Sequence, residues 1–236
     1  MSIKLNAQSG GSVALDAPTQ TTSSADLVFK LPVADGSSGQ VLKTDGSKNL
    51  SFGASGNTGS LQVIEQFFSL ADGSAFSTSN GTITLGNVTS SLNLTTTFQD
   101  LPGSYITGYT PPSGTTQVIY EVQFGLRSSD SNAILGGHMV LDGNVISESR
   151  FGLRGSTNYT DMLYTFKFGI NIGGGSTSTT TGRLASWTSG KEIKLQLDEH
   201  GSSYEWVANI IGNYGAAGNT SETMRPRVGI TAIGTV

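Results

Sequence analysis

Glu192-Ile193-Lys194-Leu195-Gln196-Leu197-Asp198 is the stretch that decides the fold. Ile193, Leu195 and Leu197 alternate with Lys194, Gln196 and Asp198. A period of two puts the apolar set on one face of a strand and the polar set on the other. The pattern recurs in Val118, Tyr120, Val122 and Phe124, interleaved with Gln117, Ile119, Glu121 and Gln123. Working outward, short β-like runs separated by turn residues fall at 81–85, 92–98, 117–126, 138–141, 145–151, 162–172, 183–187, 192–198, 205–211 and 227–232. Asp142-Gly143-Asn144 joins two of them as a hairpin. Residues 65–70 are ambiguous, and no window supports a helix longer than one or two turns. The fold class expected is all-β. Residues 61–236, with about eight to ten strands, fit a two-sheet sandwich or jelly roll.

Composition agrees. Gly, Ser and Thr make up 92 of the 236 residues, and only 13% are charged, against about 25% in ordinary domains. The net charge of −4 is too small for a disordered solvating chain. Many β-branched residues with few charges point to strands with neutral polar surfaces. Thirteen basic residues against seventeen acidic ones, with no basic run, leave no electrostatic footprint for nucleic acid. No stretch approaches the roughly 20 apolar residues that insert into a membrane as a helix. Residues 1–11 lack the charged-then-apolar pattern of a secretory leader, so none is expected. The absence of cysteine excludes disulfides, thiolate catalysis and cysteine-bound metals.

Residues 1–60 differ from the rest. Val13 and Leu15 alternate in one short piece, and Leu27, Phe29 and Leu31 in another that ends at Pro32. Two more runs, 40–43 and 49–52, flank Thr44-Asp45-Gly46-Ser47-Lys48, an Asp-Gly hairpin signal. Strands this short bury too little apolar surface to hold a core alone. The segment therefore needs other chains or a neighbouring domain to order it. Residues 53–60 read as a Gly/Ser linker. The division expected is 1–60, an attachment segment with hairpin and linker, and 61–236, the sandwich.

Groups that could do chemistry are sparse. Asp198-Glu199-His200 would set Asp198 and His200 on one strand face, but a metal needs three or four ligands and no third stands at a telling spacing. His138 opens a strand and reads as a packed or hydrogen-bonded residue. Glycan cleavage needs two facing carboxylates, and nothing pairs any of Asp130, Asp142, Glu148, Asp161, Asp198, Glu199 and Glu205. No nucleophile elbow occurs, and no helix follows Gly53, Gly56 and Gly59 to bind phosphate. No catalytic residue, metal ligand or cofactor is assigned, and the chain reads as a non-enzyme. Trp187, Tyr204 and Trp206 could stack on sugar rings or serve as core. Loops 128–137, 154–160 and 173–182 are candidate contact surfaces.

Two stretches carry a resemblance. Gly11-Ser12-Val13-Ala14-Leu15-Asp16-Ala17-Pro18, followed by residues 31–52 with Ser38-Gly39-Gln40-Val41-Leu42-Lys43-Thr44-Asp45-Gly46, resembles a module of tailed-phage structural proteins, notably of phages infecting cyanobacteria. Lys48 stands where that module usually has Gly, and Phe52 where it usually has Trp. Neither change breaks the hairpin. Phe98-Gln99-Asp100-Leu101-Pro102-Gly103, residues 109–115, Leu141-Asp142-Gly143 and residues 181–189 are similar to the C-terminal domains of the same proteins, which resemble trimeric TNF/C1q-type jelly rolls. The resemblance implies a virion protein assembled in the host bacterial cytoplasm. It would be a homotrimeric short tail fibre, or alternatively a capsid decoration protein or a host-glycan receptor-binding tip. Attachment to other virion subunits would run through Val13, Leu15, Leu27, Phe29, Leu31, Val41 and Leu42.

Overall fold

The structure is a computed structural model that describes residues 3–6, 12–15, 28–54, 61–129, 132–155, 160–201, 205–215 and 218–235, with the side chains of 3–6, 12–15, 54, 211–215 and 218–221 outside the description. The chain divides into two compact units, Met1–Thr58 and Gly59–Val236.

In the first unit, β1 (Ile3–Asn6) pairs antiparallel with β2 (Ser12–Leu15), and β3 (Gln40–Thr44) with β4 (Leu50–Ala54). Asp45 closes the β3–β4 loop, since its carboxylate accepts the Ser47 N–H at 2.7 Å and the Asn49 side-chain amide at 2.7 Å. The Asn49 amide, then the Ser47 N–H, hold its pKa below the ordinary carboxylate value. Phe52 lies over the backbone of Gly36, where an added Cβ would come within 2.7 Å of its ring. Strand β4 runs through Ala54, so residues 53 and 54, expected in the linker, are strand. The linker's remaining residues, 55–60, lie outside the described residues.

The second unit runs β5 (Gln62–Leu70), β6 (Ala75–Thr78), β7 (Gly81–Thr84), β8 (Leu92–Asn93), β9 (Gln99–Asp100), β10 (Ile106–Tyr109), β11 (Thr115–Ser128), β12 (Ile134–Leu141), β13 (Asn144–Val145), β14 (Phe151–Arg154), β15 (Thr160–Asn171), β16 (Lys191–His200), β17 (Trp206–Ala208), β18 (Ile210–Gly215), β19 (Gly218–Thr223) and β20 (Arg227–Gly234). One sheet has the main order β5-β20-β11-β15, because β20 and β15 pair with opposite sides of β11. The other has β10-β16-β12-β14. Every pairing in them is antiparallel. Numbered along the chain, these eight strands give first-eighth-third-sixth against second-seventh-fourth-fifth. This is a jelly-roll sandwich, as the sequence leads one to expect.

The two sheets share one core. Val118, Tyr120, Val122, Phe124 and Leu126 of β11 are fully buried, and meet Ile193, Leu195 and Leu197 of β16 and Leu135 and Met139 of β12 in one apolar cluster. Each such side chain contributes roughly 1.5–3 kcal/mol of burial. The alternation in β16 continues to Glu199, which turns inward and is buried, and its Oε2 accepts the backbone N–H of Trp206 at 2.8 Å.

One ambiguous stretch is resolved and three strand expectations need correction here. The ambiguous residues 65–70 are strand, paired with β20, and a bulge just before them sets Ala232 opposite Glu65 but Ile233 opposite Val63. The adjacent Phe67 and Phe68 fall on opposite faces, half-buried and exposed, which is why the run shows no apolar alternation. In 92–98 only Leu92–Asn93 is strand. The run 145–151 is interrupted by a 3-10 turn at Ser147–Ser149. Residues 183–187 form no strand, only one parallel bridge from Leu184 to Ile172. Leu184 and Trp187 both turn inward, and a spacing of three cannot do that on a pleat.

Candidate functional site

The described attachment candidates lie at the surface of the first unit. Phe29 is 49% exposed, Leu31 75%, Val41 41% and Leu42 50%. Val33 and Phe52 are exposed beside them. Leu31, Pro32, Val33, Leu50 and Phe52 help line an open hollow of about 530 Å³. Lys30 is tied to the hairpin by its N–H to Lys48 O and by Leu50 N–H to its own carbonyl, each 2.9 Å, so the Phe29–Leu31 segment is held beside β4. Val13 and Leu15 sit on β2, paired with Leu5 and Ile3. Their side chains, and Leu27 altogether, lie outside the described residues.

The two described aromatic candidates, Trp187 and Trp206, are both buried. Trp206 is fully buried in the core and Trp187 is 5% exposed. Neither offers a ring face to a ligand, and both take the core alternative that the sequence left open. Tyr204 lies outside the described residues. Trp187 is held by its indole N–H, which donates to the Tyr109 carbonyl at 3.0 Å, and by an edge-on contact with the Tyr109 ring, centroids 5.9 Å apart. Tyr109 in turn donates from its hydroxyl to Glu65 Oε1 at 2.9 Å. Burial, then that bond, drives its pKa far up.

The edge of Trp187 still lines a cleft of about 520 Å³ at one end of the sandwich. Three separate pieces of chain build it: the β10–β11 turn, the loop after β15, and Asn80 in the β6–β7 turn. The Asn80 amide donates to Pro111 O at 2.9 Å and Thr110 O at 3.2 Å, and the Thr115 hydroxyl to Pro112 O at 2.7 Å. These bonds fix the rim. Sequence reasoning did not assemble this cleft, because its walls are far apart in the chain and follow no period.

The densest polar network lies on the outward face of β16. Asp100 accepts from Tyr105 Oη, from Gln196 Nε2 at 2.8 Å and from Lys194 Nζ at 3.2 Å. Burial alone would raise its pKa, but these three donors together hold it below the ordinary value. Gln196 Oε1 meets His138 Nε2 at 3.0 Å, and the half-exposed Phe98 covers the imidazole with ring centroids 4.1 Å apart. Burial lowers the pKa of His138 and raises that of Asp198. Among the described residues no group of three metal-ligating side chains occurs. Among the candidate carboxylates, Asp142 binds Lys191 at 2.7 Å and Asp161 binds Arg127 at 2.7 Å. Among the described residues no carboxylate lines the cleft. Asp130 lies outside the described residues. Among the described residues no helix is long and apolar enough to cross a membrane.

No family model matches the chain, and no curated protein matches it. Some solved structures align with the chain at low scores. A chain of infectious bursal disease virus, Gx strain, aligns with 80% of this chain and 39% of its own, at 16% identity and a TM-score of 0.33. One from T=1 particles derived from that virus aligns over 80% and 43%, at 15% and 0.29. The carbohydrate binding module of Cellvibrio mixtus lichenase 5A, in complex with cellotriose, aligns over 74% and 99%, at 9% and 0.21. This chain spans less than half the length of those viral chains. At these scores the likeness carries no argument about function, which rests on the residues above.

Proposed function

We propose that this chain is a non-enzymatic structural component of a bacteriophage virion. In this reading it is a short homotrimeric tail fibre, attached to other virion subunits through residues 1–60, with the jelly roll facing outward. The observation that carries it is the exposed apolar set Phe29, Leu31, Val41 and Leu42 in a unit built of two-stranded sheets. Such a unit removes little apolar surface from water by itself, so burial against another chain is the outcome those side chains favour. The resemblance of residues 11–18 and 31–52 to a phage virion module agrees in place with this surface.

The test uses particles carrying the double substitution Leu31→Asp and Leu42→Asp in the full chain. Both side chains are exposed, so the purified protein should melt as the parent does. Its incorporation should fall by at least about tenfold, since two desolvated charges would meet the partner. Incorporation at parental levels would overturn the attachment role. Immunogold labelling of the sandwich then separates tail from head, and label on the head shell would favour the capsid-decoration reading.

A further inference from the structure

We propose that the cleft beside Trp187 is a binding site for a neutral saccharide. Its volume of about 520 Å³ lies within the roughly 300–1,000 Å³ of small-ligand pockets. Among the described residues its lining contains no Asp, Glu, Lys, Arg or His. That is a selective feature even in a sparsely charged protein, because charged side chains stand close by, with Lys191 paired to Asp142 past Gly190 and Glu65 beneath Tyr109. An uncharged cleft gives no counter-charge to a phosphate, sulfate, carboxylate or amine. It suits a ligand that is itself uncharged and rich in hydroxyls.

The lining has the two surfaces a sugar needs. The half-buried Pro112 and Ile172, with the edges of the buried Pro111 and Trp187, offer apolar contact for ring C–H groups. Ser113, Ser186 and Thr188 are exposed around it, and among the described residues their hydroxyls make no hydrogen bond. Each can both donate and accept, matching a sugar hydroxyl in either sense. The site is also preorganised. Asn80 and Thr115 clamp the proline turn, and Trp187 is fixed by Tyr109, so little ordering cost remains on binding.

The experiment titrates the purified full chain with maltotriose, cellotriose and N,N′,N″-triacetylchitotriose, with a heparin tetrasaccharide and a proline decapeptide as the other arms. Saturation-transfer NMR and tryptophan fluorescence are the readouts. At least one neutral trisaccharide should bind, with an affinity unchanged between roughly 50 and 500 mM salt. Ser186→Arg and Ser113→Arg, both at exposed positions, should each weaken it at least about tenfold, with unaltered thermal melting. Three outcomes would overturn the proposal: no neutral trisaccharide bound up to about 10 mM, binding indifferent to both variants, or binding of only the heparin fragment or the peptide. No particle is present in this assay, so its failure is read separately from failure of the attachment role.

Discussion

Gly125 sits inside the longest strand, where β18 leaves the sheet. An added Cβ would stand 2.1 Å from the Ile210 carbonyl oxygen and 3.1 Å from Met224 Sδ. The neighbouring Asn209 N–H donates to Gly125 O at 2.8 Å, so the two backbones cannot separate freely. Gly125→Ala should therefore cost roughly 1–3 kcal/mol in urea unfolding, as overpacking does. His138 gives a pH prediction. Its folded pKa is below the free value of 6.5, mainly through burial, with Arg150 adding to the effect and Gln196 and Asp198 opposing it. As pH falls below 6.5 the unfolded chain binds more protons than the folded one, so stability drops with pH. Asp198, raised from 3.8, acts in the opposite sense in a lower window beginning at that value. His138→Gln should flatten the slope of unfolding free energy as pH falls below 6.5. An unchanged slope would assign it to other groups. At this scale the sequence was partly legible. It placed His138 as a packed residue. It left Trp187 and Trp206 open between core and surface, since a tryptophan beside a turn reads alike on either face until the partner strands fix the register.

Between elements, turn chemistry was the readable signal. Asp142 and Gly143 have φ of 52° and 78° and join β12 to β13, with Leu141 opposite Asn144. Two left-handed residues in a two-residue loop are the type I′ arrangement that matches strand twist. Gly143→Ala should cost about 1 kcal/mol, the penalty of a Cβ in that region, measured as a lowered unfolding midpoint with unchanged m-value. Elements went unread where the local pattern was not the strand's own. Adjacent Phe67 and Phe68 on opposite faces hid the alternation of β5, and Asn209, at φ 59°, divides β17 from β18 inside what looked like one run. The 183–187 segment is held by tertiary bonds, the Ala185 N–H to Thr177 Oγ1 at 3.0 Å and Leu184 N–H to Asn171 O at 2.9 Å, rather than by a ladder. The cleft beside Trp187 was illegible for the same reason. Its walls come together only after residues 80, 110–115 and 172–188 converge, and none of them has a periodic signature.

For the whole molecule, the two units differ in what they bury, and that difference sets the last prediction. The second unit holds every side chain of the apolar core cluster. The described side chains of the first include no buried apolar group. A chain of residues 59–236 should therefore fold cooperatively on its own, whereas residues 1–58 alone should show no unfolding transition, because chain entropy outweighs so small a burial. If the first unit gains its missing burial from two further copies, light scattering of the intact chain should give three times 24.5 kDa, and loss of residues 1–58 should lower that mass or weaken the assembly. A monomeric intact chain would put the missing burial on the particle instead, with the exposed Leu31 and Leu42 covered only after docking. A trimer that survives removal of residues 1–58 unchanged would move the subunit contacts onto the sandwich. It would leave the apolar surface of the first unit free for a different partner, which is the arrangement an attachment segment needs.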